Sequence, residues 1–585
     1  MSSFHHSLHT WLQQAWIQAH HCDLPLRGMA MCQRPELADL THSGALLGAK
    51  TLQQSPRTLA QQWFEQLSPH PFVKQVDIAG PGYLNIQLSE AGWKALLENP
   101  EGPFEMPPVP EPTLIEFVSA NPTGPLHLGH ARQAVLGDVL AKLLKKLGGK
   151  VGTEFFYNDA GEQINMLTLS VELRLKELQG AVLKFERDKV KEEDLNEGEL
   201  LFPLNAYHGD YIQEVAKAWL VNPEQDLTDF AIAYLSQEQH DDLTHLGVHF
   251  DTRVSEKSLY DSGEVKDVVN QLLHHAYQAT HDKQSPAPIN PHASHAWFLE
   301  TSLYGDDKDR VMIKANGSYT YFVPDVAYHL NKWKRGWKHA INIQGSDHHG
   351  TLARVQAGVQ MACPKIGPNY PEVMFHTMIK VVKNGVPVKA SKRAGDYLTA
   401  REIADQIGVG AFRLSMLDKK PDTPMKLDID QWVVQSAQSP VYNIQYAYAR
   451  IKKALEKMTI QEPGNVSQLT LHSCEQQLLL GVGLWEDRIL GAAQDHEPTR
   501  VSLLTRELAS SIHNAYQQGP KLLKLDKASQ DIRKHLYQQV LKTLENAAQL
   551  LGFEYEPLAF SKDHELQTFA SQSPPPSSFT PTKPK

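Results

Sequence analysis

The sequence predicts an α/β protein of several domains, with a helix-covered parallel β-sheet at its centre. Three observations support this prediction. At 585 residues the chain is too long for one hydrophobic core. Residues 114–157 follow the order strand, helix, strand, which is typical of a parallel sheet. After about residue 430 strand patterns fade, and long helical patterns continue to about residue 552.

Residues 1–105 are predicted to form a small α+β domain. Apolar residues at helical spacing precede an alternating segment, residues 76–88, which Gly80-Pro81-Gly82 interrupts. A proline-rich linker, residues 100–112, follows and marks the domain boundary.

Residues 106–425 are predicted to form the central domain. Leu114–Val118 is a short apolar strand, and residues 129–147 form an amphipathic helix that ends at a pair of glycines. The next strand, Val151–Tyr157, follows at once. This beginning indicates a parallel sheet covered by helices.

Two insertions and two C-terminal parts complete the predicted organisation. Residues 170–200 are expected to be a charged helical insertion at the surface, and residues 278–296 a long loop. Residues 426–560 are predicted to be an all-α bundle. The last part, residues 561–585, is rich in proline and serine and is expected to be disordered.

Composition sets limits on the class of protein. The apolar fraction of 41% and the charged fraction of 21% are those of an ordinary globular protein. A net charge of -10 does not exclude a nucleic-acid partner, because binding depends on local clusters of positive charge. Basic stretches occur at residues 332–338 and 521–527, although each could be a solvated helix face.

The same composition favours a cytoplasmic protein with no membrane segment. The four cysteines show neither Cys-x-x-Cys nor zinc-type spacing, which fits a reducing compartment. No stretch reaches the roughly 20 apolar residues that span a bilayer. The first residues also lack a hydrophobic signal core.

The strongest motif lies between the first strand and the first helix of the central domain, at residues 120–130. It brings two imidazoles, His127 and His130, to a helix N-terminus, whose unpaired N–H groups and partial positive charge suit a phosphate. Gly129 leaves room for a flat base against the backbone. Considered alone, the two histidines would be interpreted as simple helix caps. The motif also lacks the Gly-x-Gly-x-x-Gly pattern of a dinucleotide-binding turn.

A second segment, Val388-Lys389-Ala390-Ser391-Lys392-Arg393, places two lysines three residues apart beside small residues. It suggests a mobile loop that brings positive charge to a transferring phosphate. By itself it would be an ordinary basic surface turn.

Together the two segments resemble the signatures of class I aminoacyl-tRNA synthetases, usually written His-Ile-Gly-His and Lys-Met-Ser-Lys-Ser. The second departs from the pattern, with Ala390 for methionine and Arg393 for the last serine. Other segments resemble arginyl-tRNA synthetases over nearly the whole chain. These are residues 80–85, 157–164, 207–211, 305–310, 319–329, 345–350 and 440–450.

This resemblance implies a Rossmann-like catalytic domain, an N-terminal additional tRNA-binding domain and a helical anticodon-binding domain. It implies a ligase that activates L-arginine with ATP and transfers the arginyl group to the 3′-terminal adenosine of tRNA(Arg). Pyrophosphate and AMP would be released. Mg²⁺ is expected to arrive with ATP, without a protein-bound metal, and the chain is expected to be a monomer.

The resemblance also assigns site residues. The expected catalytic residues are His127, His130, Lys389 and Lys392. The expected ATP-binding residues are Pro122, Thr123, Gly124, Pro125, Leu126, Leu128, Gly129, Asp347 and His348. The expected arginine-binding residues are Ser119, Asn121, Glu256, Tyr321 and Asp325. The expected tRNA-binding residues are Tyr83, Asn85, Gln445, Tyr446 and Tyr448; the two tyrosines of the helical domain are expected as exposed aromatics, with core residues as the alternative.

The side chains in the expected pocket are consistent with arginine as the amino-acid substrate. A guanidinium is planar and carries five donors, so its pocket needs a carboxylate and further acceptors. Pro324 fits a first helical turn, which puts Asp325 at a helix start and Tyr321 at the end of the preceding strand. The alternative for Asp325 is a plain N-terminal helix acid.

Asp347, His348 and His349 could suggest a metal site. No third ligand follows at helical or hairpin spacing, so we interpret them as hydrogen-bonding residues.

Two alternatives remain. One is a synthetase for another amino acid, such as cysteine or glutamate, which the lack of zinc-type cysteines and the Tyr321–Asp325 pair oppose. The other is an inactive paralogue that only binds tRNA or a partner protein, which the intact His127, His130 and Lys392 oppose.

Overall fold

The computed structural model describes residues 3–25, 28–104, 107–221, 223–278, 296–388, 398–433, 439–458 and 471–555. Lys389 and Lys392 lie outside the described residues, as do the tail, residues 561–585, and all but the ends of the expected loop, residues 278–296.

The N-terminal part is an α+β unit. Its elements are α1 (Phe4–His20), β1 (Met29–Met31), β2 (Leu40–His42), α2 (Gly44–Leu52), α3 (Pro56–Glu65), β3 (Val73–Ala79), β4 (Tyr83–Leu88) and α4 (Glu90–Glu98). The strands form an antiparallel sheet in the order β1-β2-β4-β3. Leu84 and Ile86 of β4 are buried together with Trp16 and Trp63 of the helices. Pro56 fits the first turn of α3, which the Ser55 hydroxyl caps.

The central domain is built on a five-stranded parallel sheet. The strands are β5 (Thr113–Glu116), β6 (Val151–Tyr157), β9 (Thr252–Ser255), β13 (His339–Gly345) and β14 (Glu372–His376). Their order is β14-β13-β5-β6-β9, with all pairs parallel. Numbered among themselves, the strands run 3-2-1-4-5, which is the Rossmann order. The predicted fold class is confirmed.

The strand order reverses at β5, because β6 lies on one side of it and the much later β13 on the other. Such a switch point opens a crevice beyond the carboxyl ends of the strands, where ligands of open α/β sheets bind. The helix after β5 is α5 (Leu128–Lys146), so the motif at residues 120–130 lies at this crevice. Further helices of the domain are α9 (Glu256–Asp261), α10 (Glu264–Leu272), α11 (Phe322–Lys334) and α12 (His349–Ala362).

The prediction of a helical insertion over residues 170–200 is wrong in its second half. Helix α6 (Glu162–Leu178) ends early, and β7 (Val182–Phe185) pairs in parallel with β8 (Glu199–Phe202). The reason is a small apolar cluster in which the rings of Phe185 and Phe202 stack at 5.3 Å. The long loop between the strands carries the charges that dominated the pattern. Helices α7 (Asp210–Trp219) and α8 (Leu227–His245) complete this insertion.

The remaining strands belong to two small sheets. One contains β10 (Ala276–Gln278), β11 (Trp297–Leu299) and β12 (Arg310–Ile313). The other contains β15 (Ile379–Lys383), β16 (Val386–Val388) and β17 (Met425–Asp428), in the order β16-β15-β17. The short helices around the second sheet are α13 (Ala400–Ile407), α14 (Val409–Met416) and α15 (Ile429–Val433).

The C-terminal part is all-α, as expected from the sequence. It consists of α16 (Pro440–Lys457), α17 (Ser473–Gly483), α18 (Trp485–Gln494), α19 (Thr499–Gln518) and α20 (Lys527–Leu551). Across the described ranges, no helix combines the length and the apolar character that crossing a bilayer requires.

Arg413 joins the helical bundle to the central domain. Its fully buried guanidinium donates to the carbonyl oxygens of Leu551 and Leu246, each at 2.7 Å, and to the carboxylate of Asp138 on α5. Leu551 is the last residue of α20 and Leu246 follows α8, so one side chain ties three elements to the centre of α5.

We therefore expect Arg413→Met to lower the free energy of unfolding by about 3–5 kcal/mol, because it leaves two buried carbonyl oxygens without their donor and the Asp138 carboxylate with Lys142 alone. Urea denaturation followed by circular dichroism measures the change. The control is Arg488→Met, which removes an exposed pair with Glu507 and should cost about 1 kcal/mol or less. A loss at Arg413 no larger than that of the control would contradict this role.

Candidate active site

The backbone turns sharply where β5 ends. Val118 and Ser119 have left-handed φ angles of 69° and 42°, a costly conformation for residues other than glycine. The Ser119 hydroxyl donates to Glu116 at 2.8 Å and accepts from the Phe156 N–H at 3.3 Å. Neighbouring strands thus hold a strained turn in place at the start of the motif loop.

Side chains of the insertion hold the loop that follows. Gln239 of α8 donates to the carbonyl oxygens of Asn121 and Gly124, at 3.0 and 2.8 Å. The Tyr211 hydroxyl donates to the Thr123 carbonyl at 2.9 Å, and a Cβ at Gly124 would lie 2.8 Å from that hydroxyl. The sequence analysis missed Gln239, because a single glutamine within a helix carries no signal of its own.

The two histidines of the motif form one unit at the N-terminus of α5. His127 caps the helix, since its Nδ1 accepts from the His130 N–H at 3.2 Å, and the two rings stack in parallel at 3.6 Å. A Cβ at Gly129 would lie 2.8 Å from the His127 ring, so only glycine allows this approach. With Nδ1 as acceptor, neutral His127 carries its proton on Nε2, which can donate to an anion. His127 can therefore cap the helix through Nδ1 and bind an anion through Nε2 at the same time.

A cavity of about 810 Å³ lies beside the motif, at the carboxyl ends of β5, β6 and β13. All five residues predicted to bind arginine line it, namely Ser119, Asn121, Glu256, Tyr321 and Asp325. Residues from three segments of the chain, distant in sequence, thus meet in one crevice.

The position of Tyr321 differs from the prediction. It does not end a strand, because β12 already ends at Ile313, and it directly precedes α11 as its N-cap residue. Its side chain is 76% exposed, at the mouth of the cavity. Asp325 lies in the first turn of α11 one residue after Pro324, as expected.

The cavity is anionic. Burial raises the pKa of Asp325 to about 7, and the nearby carboxylates of Glu256 and Glu116 add to the rise, whereas Arg354 and Lys332 oppose it. Burial and Asp159 also raise the pKa of Glu256. Without a ligand, both carboxyl groups therefore keep their protons to a higher pH than usual. A cation bound in the cavity would favour their ionised, negatively charged forms.

A buried ion pair forms the floor of the cavity. The Lys332 ammonium is fully buried, 2.5 Å from Glu116 and 3.1 Å from the side-chain oxygen of Asn342. Glu116 in turn accepts from Ser119, so α11 is connected to the strained turn. Lys332 already balances the charge of Glu116. A cation bound in the cavity would therefore balance the charges of Asp325 and Glu256.

Asparagine side chains organise the other wall. The Asn158 amide donates to Glu256 at 2.8 Å, and the Asn158 N–H donates to the side-chain oxygen of Asn121 at 3.1 Å. Asn121 donates to Gln163 at 2.8 Å. Asn158 and Gln163 belong to a segment that the sequence analysis singled out as a whole without giving either residue a role.

Asp347 lies in a short 3-10 turn, Ser346–His348, that directly follows β13 at the same edge of the sheet. Its side chain is exposed, and that of His348 lies outside the described part of the chain. Within the described ranges, no group of three or more His, Cys, Asp or Glu side chains could hold a metal ion.

Both described flanks of the lysine segment are bound to the histidine motif. On one side, Gln133 of α5 contacts His376 at 3.0 Å, just before β15. On the other side, the Ala400 N–H donates to the Leu126 carbonyl at 2.9 Å. Lys389 and Lys392 themselves lie outside the described residues.

Comparison with known proteins identifies the family. Three family models match: the arginyl tRNA synthetase N terminal domain at residues 7–88, the class I (R) tRNA synthetase catalytic domain at 111–447, and the DALR anticodon binding domain at 444–556. The arginine–tRNA ligase of Paracidovorax citrulli is 37% identical over 562 residues, covering 90% of this chain and 95% of the relative. That of Albidiferax ferrireducens is 39% identical over 558 residues, covering 89% and 94%.

The chain belongs to the arginyl-tRNA synthetase family.

Solved structures agree on the fold of this family. The arginyl-tRNA synthetase of Thermus thermophilus superposes with a TM-score of 0.70 at 20% identity, covering 94% of this chain and 99% of that one. The corresponding structure from Plasmodium falciparum gives 0.65 at 14% identity, covering 95% and 99%. As a member of the family, the chain is an aminoacyl-tRNA synthetase, and its ligase activity uses ATP, arginine and tRNA.

The residues expected to contact tRNA differ in exposure. Tyr83 is exposed and Asn85 half-buried, on the face of β4 opposite the buried Leu84 and Ile86. Tyr446 is not an exposed aromatic, and that expectation is wrong, because the side chain is only 6% exposed.

Tyr446 is buried because aromatic rings flank it. Its ring stacks with those of Tyr442 at 5.7 Å and His513 at 5.9 Å, and its hydroxyl accepts from Arg450 at 2.8 Å. Tyr448 stacks on Tyr555 at 3.8 Å and is half-buried, as is Gln445.

Asp325→Asn should stabilise the ligand-free chain at pH 8 by on the order of 2 kcal/mol, because it removes a half-buried charge that Arg354 and Lys332 offset only in part. A raised pKa in the folded state means that wild-type stability falls as pH rises from about 4 to about 7. The difference between variant and wild type should therefore be small near pH 4 and constant above pH 7. Urea titrations across this range measure it; a pH-independent difference would exclude the titration of Asp325.

Proposed function

We propose that this arginine–tRNA ligase binds the arginine guanidinium at Asp325 and carries out adenylate formation between that cavity and the N-terminus of α5. One observation carries the assignment: the five residues predicted for arginine line a single anionic cavity beside the stacked histidines. The half-buried Asp325 carboxylate, whose pKa lies near 7 without ligand, gains a counter-ion when a guanidinium binds.

The other arginine contacts follow from the cavity wall. Asn121 and Glu256 are joined through Asn158, which holds both of them at one wall of the cavity. We assign them to the α-amino group, with Ser119 at the turn and Tyr321 closing the mouth over the aliphatic part of the substrate.

ATP is assigned to the motif loop, at Pro122 to Gly129, with Asp347 and His348 on the same edge. His127 and His130 donate to the α- and β-phosphates, assisted by the positive end of α5. Lys392, with Lys389, stabilises the departing pyrophosphate. The bound flanks of the lysine segment support this assignment, since one contacts the motif at Leu126 and the other contacts Gln133 of α5, three residues after His130.

The reaction then proceeds in two displacements. A carboxylate oxygen of arginine attacks the α-phosphorus of ATP, and the bond to the β-phosphate oxygen breaks, releasing pyrophosphate. A ribose hydroxyl of the terminal adenosine next attacks the carbonyl carbon, and AMP leaves. No protein nucleophile is required, because the protein aligns the reactants and stabilises charge on the phosphates.

The tRNA is assigned to two surfaces. Tyr83 and Asn85 on β4 belong to the N-terminal one. In the helical bundle, a cavity of about 320 Å³ is lined by Arg450, Lys453, Lys521, Tyr446 and Tyr516. Cations and aromatic edges together suit an unstacked nucleotide. Gln445 and Tyr448 lie on the same helix as Tyr446.

We further propose a division into domains, an oligomeric state and a source of Mg²⁺. The functional units are residues 1–105, 106–425 and 426–560, followed by a tail at 561–585. The chain acts in the cytoplasm as a monomer, and Mg²⁺ enters as the complex with ATP without a metal held by the protein.

Asp325→Asn should weaken arginine binding by about 1.5–3 kcal/mol, the range for a charged hydrogen bond. Arginine KM in ATP–pyrophosphate exchange with tRNA present measures the loss. The matched control is Asp267→Asn, which changes an exposed first-turn acid of α10 and should leave KM as it is. Equal arginine affinity in wild type and Asp325→Asn would rule out the assignment of the guanidinium.

Lys392→Ala should reduce the rate of adenylate formation about 10²–10³-fold, the loss expected for one donor to the transition state. Single-turnover formation of the adenylate measures the rate. Lys383→Ala is the control, because Lys383 lies on the adjoining strand β15 and donates to Gln406. If both variants turn over at the wild-type rate, the lysine segment has no part in the chemistry.

A further inference from the structure

Arg132 is a buried cation that the proposed mechanism does not use. It is the fifth residue of α5, two residues after His130, and its side chain is fully buried. One terminal nitrogen donates to the Thr377 carbonyl at 3.0 Å and to the Thr377 hydroxyl at 3.2 Å. The other donates to the carbonyl oxygens of Lys419 and Lys420, at 3.2 and 2.9 Å.

These acceptors lie on two segments. Thr377 lies in the short connection between β14 and β15, and β15 leads through β16 towards the lysine segment. Lys419 and Lys420 belong to the connection between α14 and β17. Arg132 therefore joins the phosphate-binding end of α5 to the segments that lead into β15 and β17, which pair with each other in the small sheet.

The second segment is also bound by the helical bundle. The Lys420 ammonium lies 3.0 Å from Glu497, and Asp418 accepts from Arg506 of α19 at 2.7 Å. The connection at residues 418–420 thus lies between Arg132 on one side and the bundle on the other. Its position depends on both.

Packing alone does not explain an arginine here. Burial of a guanidinium is costly, and an apolar side chain of similar volume would fill the space with less penalty. All four acceptors are uncharged, and the nearby Asp422 only partly offsets the effect of burial, which lowers the pKa of Arg132 to about 10. The group stays protonated at neutral pH. The planar guanidinium instead fixes the geometry between three segments, which are α5, the residues before β15 and the connection at residues 418–420.

We propose that Arg132 is a positioning residue for adenylate formation, which holds His127 and His130 in register with strand β15 and with the bundle-bound connection at residues 418–420. It touches no substrate, because its side chain is fully buried and both terminal nitrogens donate to the protein backbone and to Thr377. The inference rests on the proposed function and concerns the same phosphate-binding site.

The test compares Arg132→Lys and Arg132→Met with wild type in the full chain. We expect kcat for arginine-dependent ATP–pyrophosphate exchange, with tRNA present, to fall about 10²-fold in Arg132→Met, the scale of a 1 Å misplacement of reacting groups. Arginine KM and tRNA affinity should change less than about twofold, since neither contact surface is altered. Arg132→Lys, which keeps the charge and fewer donors, should recover part of kcat.

Two further variants keep the test decisive. Arg174→Lys makes the same change at another buried arginine, in the insertion, and should leave kcat unaltered. Thr377→Val removes one acceptor of Arg132, together with the hydrogen bond that this hydroxyl donates to the Thr423 carbonyl, and leaves the cation in place. It therefore tests the contact even where Arg132→Met does not fold; kcat should fall about threefold to tenfold.

The results separate this inference from the proposed function. Wild-type kcat in folded Arg132→Met, or in Thr377→Val, overturns the positioning role. So does a rise in arginine KM that accounts for the whole effect. A wild-type chain without arginine-dependent exchange would instead refute the proposed function, whatever the variants do.

Discussion

The structure of the active site depends on one constraint, the position of the half-buried Asp325 carboxylate in a cavity that already contains two other acids. Burial of an uncompensated charge is among the most expensive features of a folded protein. Lys332 compensates Glu116 internally, and the cost of Asp325 and Glu256 remains in the ligand-free state. A guanidinium removes that cost, so the site gives up stability to gain selectivity for a cation with several donors.

The parallel sheet brings this cavity and the phosphate-binding helix together. Because the strand order reverses at β5, the turn after β5 lies between the ends of β6 and β13, and both ligand sites open at the same edge. The left-handed turn at Val118 and Ser119 is tied to Lys332 through Glu116. Arg413 and Arg132 then connect α5 to the helical bundle and to the small sheet at β15.

Much of this could be read from the sequence, where local pattern and chemistry agree. The strand–loop–helix at residues 114–147 and the helical C-terminal part follow from periodicity, and the motif histidines lie at a helix N-terminus as predicted. Other features depend on contacts between distant segments. The pair β7–β8 forms because Phe185 and Phe202 meet within a charged stretch, and Tyr446 is buried by His513 from another helix. Neither Gln239 nor Arg132 has a sequence pattern, since backbone carbonyls are their partners.

The central claim is that the cavity selects a guanidinium by its charge. Calorimetric titration with L-arginine and with L-citrulline, which has the same shape but an uncharged ureido group, tests it most directly. At pH 8 arginine should bind at least about 100-fold more tightly than citrulline, and its binding should take up no proton. The preference for arginine should become smaller as the pH falls below 7. Equal affinity for the two ligands at pH 8 would contradict the account.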